Sequence, residues 1–163
     1  CSSDLYADGD VRTVWFFANP SAGGKINMVR YERSTQVADS KKYGDPVVPM
    51  LKLSEMYLIA AECGLHNAST GIDARAMLNE LKRARGAAEI GVSASPSDLR
   101  REITHEYICD FKGEGQLFYY YKRMNMAAVD DGNYNGNTIA VPADAYTLPL
   151  PEYEKQFGYG QNR

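Results

Sequence analysis

The 163-residue sequence predicts a mainly α-helical fold whose helices pair as antiparallel hairpins. Between residues 49 and 126, apolar residues recur at helical spacing, and turn-forming residues interrupt the pattern. With 44% hydrophobic and 24% charged residues, the chain has enough apolar material to build a core. The flanking segments, 1–48 and 127–163, lack this periodicity, and we expect irregular structure there.

The first hairpin is predicted within residues 49–86. Leu53 and Tyr57 begin one helical stripe, and Asp73 is suited to cap a second helix that Gly86 ends. The link between the two helices is short, so they are expected to pack antiparallel. The small residues that would let the second helix approach the first closely are Ala60, Ala61 and Gly64.

A second hairpin is predicted within residues 95–126. Ser95, followed by Pro96 and Asp98, has the pattern of a capping box at the start of a helix that runs to Phe111. Gly113 and Gly115 then allow a tight corner around Glu114, because glycine adopts backbone angles that other residues avoid. Two hairpins in series predict a tetratricopeptide-like layout, although the strict repeat pattern is not visible.

The two flanking segments carry different signals. Within residues 1–48, the run from Val11 to Phe17 is rich in β-branched and aromatic residues, and it favours a short strand among loops. Within residues 127–163, a turn-forming run and several prolines exclude a long helix. We therefore expect this tail to be extended and to wrap over the surface.

The composition argues against several classes of protein. A formal net charge of −3 and a pI near 5.4 disfavour nucleic-acid binding, which needs a basic surface. The three cysteines are far apart and form no CxxC pair, so neither a disulfide framework nor a zinc site is expected. Cys63 and Cys109 lie in apolar helical patterns and are expected in the core. No nucleotide-binding or other cofactor motif is present, and no apolar stretch approaches the roughly 20 residues of a membrane-spanning helix.

An acidic row is the main candidate for chemistry. Glu106, Asp110 and Glu114 recur at four-residue steps and could supply the acid and base of a glycosidase. One helical row does not place two carboxylates on opposite sides of a sugar bond, so structural ion pairs are favoured. The basic residues expected as partners are Arg83, Arg85, Lys122 and Arg123. The helix end that holds Lys82, Arg83 and Arg85 is otherwise interpreted as a solvated face.

Aromatic residues are the remaining candidates for ligand contact. The chain has twelve tyrosines, five phenylalanines and one tryptophan, most of which should lie in the core. Consecutive positions of a helix cannot all face inward, so at least one residue of the run Tyr119–Tyr121 should reach a surface. Trp15 lies in a polar, glycine-rich neighbourhood and is the candidate for stacking on a sugar ring.

Three blocks of sequence resemble the SusD/RagB family, the glycan-binding lipoproteins of bacterial outer membranes. They are LKLSEMYLIAAE at 51–62, LNELKRARG at 78–86 and EYICDFKGEGQLF with the following KR at 106–123. YADGDVR at 6–12 and YTLPLPE at 146–152 are looser matches to the two ends of the same pattern. Lys52 stands where the family usually has arginine, and Asp110 where it has glutamate. The matched positions that we expect to act as structural anchors are Glu55, Glu106, Asp110, Glu114 and Arg123.

The resemblance implies a mainly α, SusD-like fold with tetratricopeptide-like hairpins, no catalytic activity and no cofactor. It also implies glycan capture at the outer membrane, with a SusC-like TonB-dependent transporter as partner and membrane attachment only through a lipid anchor of the full-length protein. Cys1, followed by Ser2 and Ser3, otherwise looks like a lipoprotein's lipidated cysteine. Family members are much longer, and if their upstream part lies outside this sequence, Cys1 aligns inside the family and is not the lipidated cysteine. The alternatives are a helical-hairpin adaptor that binds protein and a glycosidase using Glu106 and Glu114.

Overall fold

The computed structural model of the chain describes residues 5–16, 49–130 and 137–157. It confirms a mainly helical fold. Two compact units are present, Cys1–Leu117 and Phe118–Arg163, and the division between them falls within a helix. In chain order the helices are α1 (Arg12–Phe16), α2 (Leu53–His66), α3 (Ala74–Arg85), α4 (Pro96–Phe111), α5 (Gln116–Arg123) and α6 (Glu152–Gln156), with a short 3-10 helix at Ala68–Thr70. None of the helices in the described part of the chain is long and apolar enough to cross a membrane.

Helices α2 and α3 form the first hairpin, as their spacing predicts. At one end of the pair, a Cβ atom on Gly64 would lie 2.5 Å from the carbonyl oxygen of Ile72, so glycine allows the close approach. At the other end, Ser54 near the start of α2 and Arg85 at the end of α3 line one cavity. The two helices therefore run antiparallel.

The helix caps lie where the sequence places them. Asp73 accepts hydrogen bonds from the backbone N–H groups of Arg75 and Ala76, and Gly86 ends α3 with φ of +72°. At the start of α4, Ser95 and Asp98 form a reciprocal capping box. Helix α4 packs on α2 and α3 to complete a three-helix layer. The apolar side chains at the centre of this layer are Leu58, Ala61, Leu78, Leu81, Ile103, Tyr107 and Phe111.

The prediction of a strand between Val11 and Phe17 is wrong where the run is described. Residues Arg12–Phe16 form α1 instead. The Asp10 carboxylate accepts the Arg12 N–H at 2.9 Å, and the Asp10 carbonyl oxygen accepts the Thr13 N–H at 3.1 Å. This local cap, together with the long-range contacts of Arg12 described below, outweighs the β propensity of the run. Residues 17–48, including the end of this run at Phe17, lie outside the described residues.

The tail has more regular structure than the sequence predicts. Strand β1 (Ala128–Asp130) pairs antiparallel with β2 (Thr138–Ala140), and Val129 lies opposite Ile139. Helix α6 is only five residues long, which agrees with the exclusion of a long helix. The strands were missed because each has three residues, too few for an alternating pattern. The second hairpin, of 95–126, stays a prediction.

Gly64 provides a test of the helix packing. Gly64→Ala should lower the free energy of unfolding by about 1–3 kcal/mol, because its methyl group would collide with the backbone at Ile72. Gly91→Ala is the matched control, since the Cβ atom there would meet only the Ser93 hydroxyl at 4.0 Å. We expect it to change stability by less than about 0.5 kcal/mol in urea unfolding. Equal losses in the two variants would contradict the close packing of α2 against the link to α3.

Candidate functional site

The carboxylates of the acidic row lie inside the first unit and form ion pairs. Glu106 and Asp110 on α4 are each 1% exposed, and the Glu114 side chain just beyond the helix is also 1% exposed. A buried carboxylate that is ionised needs positive partners and hydrogen-bond donors. Three other segments of the unit supply them.

Arg12 is the central cation of this site. Its Nη2 atom lies 2.7 Å from Oδ2 of Asp10, and its Nη1 atom donates to Oε2 of Glu106 at 2.8 Å. The same Nη1 atom is 3.6 Å from Oδ1 of Asp110. Arg12 is itself 1% exposed. One guanidinium therefore joins the segment before α1, residues 5–11, to two successive turns of α4. We call this segment the N-terminal turn.

Helix α3 contributes two further cations. Lys82 Nζ donates to Oε2 of Glu102 at 3.0 Å and reaches Oε1 of Glu106 at 3.5 Å. Arg85 Nη2 donates to Oδ1 of Asp110 at 3.2 Å. The predicted pairing of Arg85 with the acidic row is therefore present, but its solvated-face interpretation is wrong for Lys82 and Arg85, which turn inward.

Arg83 does not join the acidic row. It lies on the exposed side of α3, where its Nη1 atom is 2.8 Å from Glu80 and its Nε atom is 3.1 Å from Glu89. These are surface pairs within the helix and with the following loop. The predicted partnership of Arg83 with the row is wrong because successive residues of a helix point in different directions.

The start of α2 completes the site from the other side. Lys52 Nζ lies 2.6 Å from Oε1 of Glu114 and 2.7 Å from the Asp110 carbonyl oxygen, and it also lies 4.3 Å from the centre of the Phe111 ring. The Ser54 hydroxyl donates to Oδ2 of Asp110. These contacts hold the corner at Glu114. The two glycines that flank Glu114, Gly113 and Gly115, both have positive φ.

We call this set the ion-pair cluster. Its members are Asp10, Arg12, Lys52, Ser54, Lys82, Arg85, Glu106, Asp110 and Glu114. They come from the N-terminal turn, the first residue of α1, the start of α2 with the residue before it, α3, α4 and the corner that follows α4. The cluster fixes how these elements pack on one another.

Two expected anchors lie elsewhere. Glu55 is half-buried on α2, and within the described residues its side chain makes no hydrogen bond or ion pair. The neighbouring Ser54 occupies the buried position instead, because the helix turns by about 100° per residue. Arg123 belongs to the second unit, where its guanidinium lies 5.5 Å from the centre of the Tyr120 ring. Its role as an anchor of the acidic row stays a prediction.

The contacts within the cluster favour the charged forms of Asp110 and Lys82. Burial alone would raise the pKa of Asp110, but the hydrogen bond from Ser54 and the charges of Arg85 and Lys52 outweigh burial and lower it. Burial would likewise lower the pKa of Lys82, yet its contacts with Glu102 and Glu106 raise it. A general acid needs a carboxyl whose pKa is raised, so Asp110 is unsuited to that role.

The N-terminal turn is also held by hydrogen bonds to residues of α4. The Tyr6 hydroxyl donates to the Cys109 carbonyl oxygen at 2.9 Å, and a ring nitrogen of His105 lies 2.9 Å from the Leu5 carbonyl oxygen. Burial raises the pKa of the Cys109 thiol, so Cys109 is a core residue and not a thiolate nucleophile. Cys63, in contrast, is exposed, and its expected place in the core is wrong.

The aromatic candidates are partly at the surface. Trp15 is 57% exposed on α1, as its polar neighbourhood predicts. In the tyrosine run, Tyr120 is buried and Tyr119 is exposed. Trp15 therefore has a face available for a ligand.

A cavity of about 210 Å³ lies between the start of α2 and the end of α3. Its lining residues are Leu53, Ser54, Tyr57, Glu80, Leu81, Ala84 and Arg85. It contains one carboxylate and no carboxylate pair. Nowhere in residues 5–16, 49–130 and 137–157 do three or more His, Cys, Asp or Glu side chains gather in a way that could hold a metal ion.

The residue-by-residue reasoning missed Asp10, Ser54 and Lys82 as cluster members, and it also missed the two cations farthest in sequence from the acidic row, Arg12 and Lys52. Their partners lie about 60 to 100 positions away in sequence, as the Lys52–Glu114 and Arg12–Glu106 pairs show, so no local spacing reveals them. The signal that could have identified them is their position inside the motifs that resemble the family. Arg12 ends the YADGDVR motif, and Lys52 belongs to the first of the three main blocks.

Comparison with known proteins agrees with these motifs. The model of the SusD family matches residues 19–152. A solved structure of a SusD-like carbohydrate binding protein from Bacteroides vulgatus has a TM-score of 0.65 and 24% sequence identity to the chain. The match covers 95% of this chain and 39% of that one, so the chain spans well under half the length of this relative. No curated protein matches the chain.

Arg12 provides a direct test of the cluster. Arg12→Met should lower the free energy of unfolding by about 3–5 kcal/mol, because it leaves buried carboxylates without their shared cation. Arg83→Met removes an arginine of surface pairs and should leave stability nearly unchanged. Chemical unfolding of both variants measures the difference. A small loss in Arg12→Met would show that the central cation is dispensable.

The lowered pKa of Asp110 predicts an acid dependence of stability. In the unfolded chain this carboxyl takes up a proton near its ordinary value of 3.8, whereas in the folded state it stays ionised to lower pH. Its contribution is therefore complete above that pH and is lost as the pH falls through the folded-state value. Between about pH 5 and pH 2, the urea midpoint of wild type should fall more steeply than that of Asp110→Asn. Parallel curves would contradict the ionised, stabilised carboxylate.

Proposed function

The chain belongs to the SusD family, and from this premise we propose that the whole protein binds glycans at the bacterial outer surface without cleaving them. The observation that carries the proposal is the family match over residues 19–152, which is most of the chain. The fold shared with a SusD-like carbohydrate binding protein supports it.

The state of the acidic row supports binding over hydrolysis. A glycosidase needs two carboxyl groups on either side of a sugar bond, in a cleft and about 5–9.5 Å apart. Glu106 and Glu114 are instead enclosed in ion pairs with Arg12, Lys82 and Lys52. Freeing either carboxylate for catalysis would break a buried pair, at a cost of about 3–5 kcal/mol.

We further propose that the whole protein passes its glycan to a SusC-like TonB-dependent transporter and is held at the outer membrane through a lipid anchor. Both proposals rest on the family. The chain corresponds to 39% of its solved relative, so the surfaces that meet the transporter and most of the glycan can lie in the remaining part.

Trp15 is the residue of this chain that we propose as a stacking contact for glycan. Its indole is more than half exposed, and a flat aromatic face stacks on the apolar face of a sugar ring. Helix α1, which carries Trp15, is anchored through Arg12 to the ion-pair cluster. The indole is therefore presented on a fixed support, which lowers the entropic cost of binding.

Affinity electrophoresis of the full-length protein in polysaccharide gels tests glycan binding. The protein should be retarded by at least one polysaccharide, and Trp15→Ala should weaken the interaction about 2–10-fold through loss of ring stacking. Tyr119→Ala is the control, since it removes another exposed aromatic ring from the second unit. Unchanged retardation of Trp15→Ala would remove Trp15 from the site, and absence of retardation on a broad polysaccharide panel would contradict glycan binding.

A reducing-sugar assay on the same polysaccharides tests the absence of catalysis. No release above the buffer blank is expected. Activity that disappears in Glu114→Gln would overturn the proposal and assign the acidic row to hydrolysis. If Glu114 acts only through Lys52, the same variant should instead lower the melting temperature, with or without glycan.

A further inference from the structure

The cavity between α2 and α3 opens at the surface of the first unit. Three residues of its wall, Leu53, Glu80 and Ala84, are exposed. Its volume of about 210 Å³ is below the roughly 300–1,000 Å³ of sites that hold drug-sized ligands. A ligand group that enters the cavity is therefore no larger than one sugar ring with a short substituent.

Most of the cavity wall is apolar. Leu53 and the ring of Tyr57 belong to α2, and Leu81 and Ala84 belong to α3. Burial of apolar surface is the main favourable contribution to binding in such a site. The wall therefore favours a ligand that brings a methyl group over one that brings only hydroxyl groups.

Arg85 adds a hydrogen-bond donor to this wall. Its Nη2 atom is engaged, because it donates to Oδ1 of Asp110 at 3.2 Å. Its Nε atom is buried, and in the part of the chain that the structure describes it has no hydrogen-bond partner. A buried N–H group without an acceptor is costly, so a ligand oxygen that reaches Nε gains a hydrogen bond that the protein alone does not make.

Glu80 supplies an acceptor in the same wall. Its Oε2 atom accepts from Arg83 at 2.8 Å, and its side chain is 56% exposed. An ionised carboxylate has about four lone-pair sites, so the pair with Arg83 leaves capacity for a further donor. The cavity thus combines a donor at Arg85, an acceptor at Glu80 and an apolar wall.

An acetamido group is complementary to all three features. Its carbonyl oxygen accepts a hydrogen bond, its N–H group donates one, and its methyl group is apolar. A free carboxylate is less suitable, because Asp110 already pairs with Arg85 and Glu80 places a second negative charge in the same wall. A plain hydroxyl group has no methyl group to pack on the apolar wall.

We propose that the cavity between α2 and α3 binds the acetamido group of an N-acetylated amino sugar. The carbonyl oxygen of the group accepts from Arg85 Nε, its N–H donates to Glu80, and its methyl group packs against Leu81 and Ala84. This inference rests on the proposed glycan binding and names the class of sugar that the cavity selects.

Saturation-transfer difference NMR of the full-length protein tests the proposal with N-acetylglucosamine and glucose as the two probes. From titrations, N-acetylglucosamine should bind at least about 10-fold more tightly, because glucose has a hydroxyl group in place of the acetamido group. The acetyl methyl protons should receive the strongest saturation. Ala84→Leu should weaken the binding of N-acetylglucosamine at least about 10-fold, since the larger side chain fills the cavity. Ala76→Leu is the matched control, at an exposed position of α3 outside the cavity, and should bind like wild type.

A second variant tests the donor separately from the shape of the cavity. Arg85→Lys keeps a positive charge beside Asp110 but removes the Nε–H group, so it should also weaken the binding of N-acetylglucosamine. The melting temperature of each variant shows whether the fold is kept.

Three results would overturn the proposal. They are equal affinity for the two sugars, wild-type binding of N-acetylglucosamine by Ala84→Leu, and wild-type binding by Arg85→Lys. Each of them leaves the retardation of the wild-type protein in polysaccharide gels unchanged, so the cavity can fail as a site while glycan binding stands. A polysaccharide panel without retardation, in contrast, contradicts glycan binding itself.

Discussion

The structure of the first unit depends on one buried guanidinium. Arg12 lies among three carboxylates, from Asp10, Glu106 and Asp110, and no part of it is freely exposed to water. A charge in that position is tolerated only when all of its partners are in place. The N-terminal turn and the second half of α4 must therefore come together as a set. Lys52 and Lys82 extend the same requirement to the start of α2 and the end of α3.

The cluster explains why the recognisable motifs of the sequence are scattered along it. YADGDVR contributes Asp10 and Arg12, the LKLSE block contributes Lys52, and the LNELKRARG block contributes Lys82. In the folded chain these motifs meet at the acidic row of α4. A well-packed apolar core could give comparable stability, so we infer that the ion pairs chiefly select one arrangement of the segments. The motifs are therefore signatures of the fold that the family shares, and they do not identify the ligand.

The sequence predicts the structural features that depend on neighbouring residues. It does not predict those that depend on contacts between residues far apart in the chain. The Asp73 cap, the Ser95–Asp98 box and the positive φ of Gly86, Gly113 and Gly115 each depend on a few neighbouring residues. The run after Asp10 was predicted as a strand because its contact with α4, 94 residues away, has no local signature. Cys63 was predicted as buried because the pattern of α2 is apolar on both sides, and periodicity alone does not say which side the 163 residues cover.

A double-mutant cycle between Arg12 and Glu106 measures how far the unit depends on the buried guanidinium. Arg12→Met, Glu106→Gln and the double variant are unfolded in urea. The coupling energy is the difference between the loss of unfolding free energy in the double variant and the sum of the losses in the two single variants. If this pair organises the cluster, the coupling should be about 2–3 kcal/mol, because each substitution already forfeits the same interaction. Additive losses, with a coupling near zero, would contradict the claim that the packing of the unit depends on the buried guanidinium.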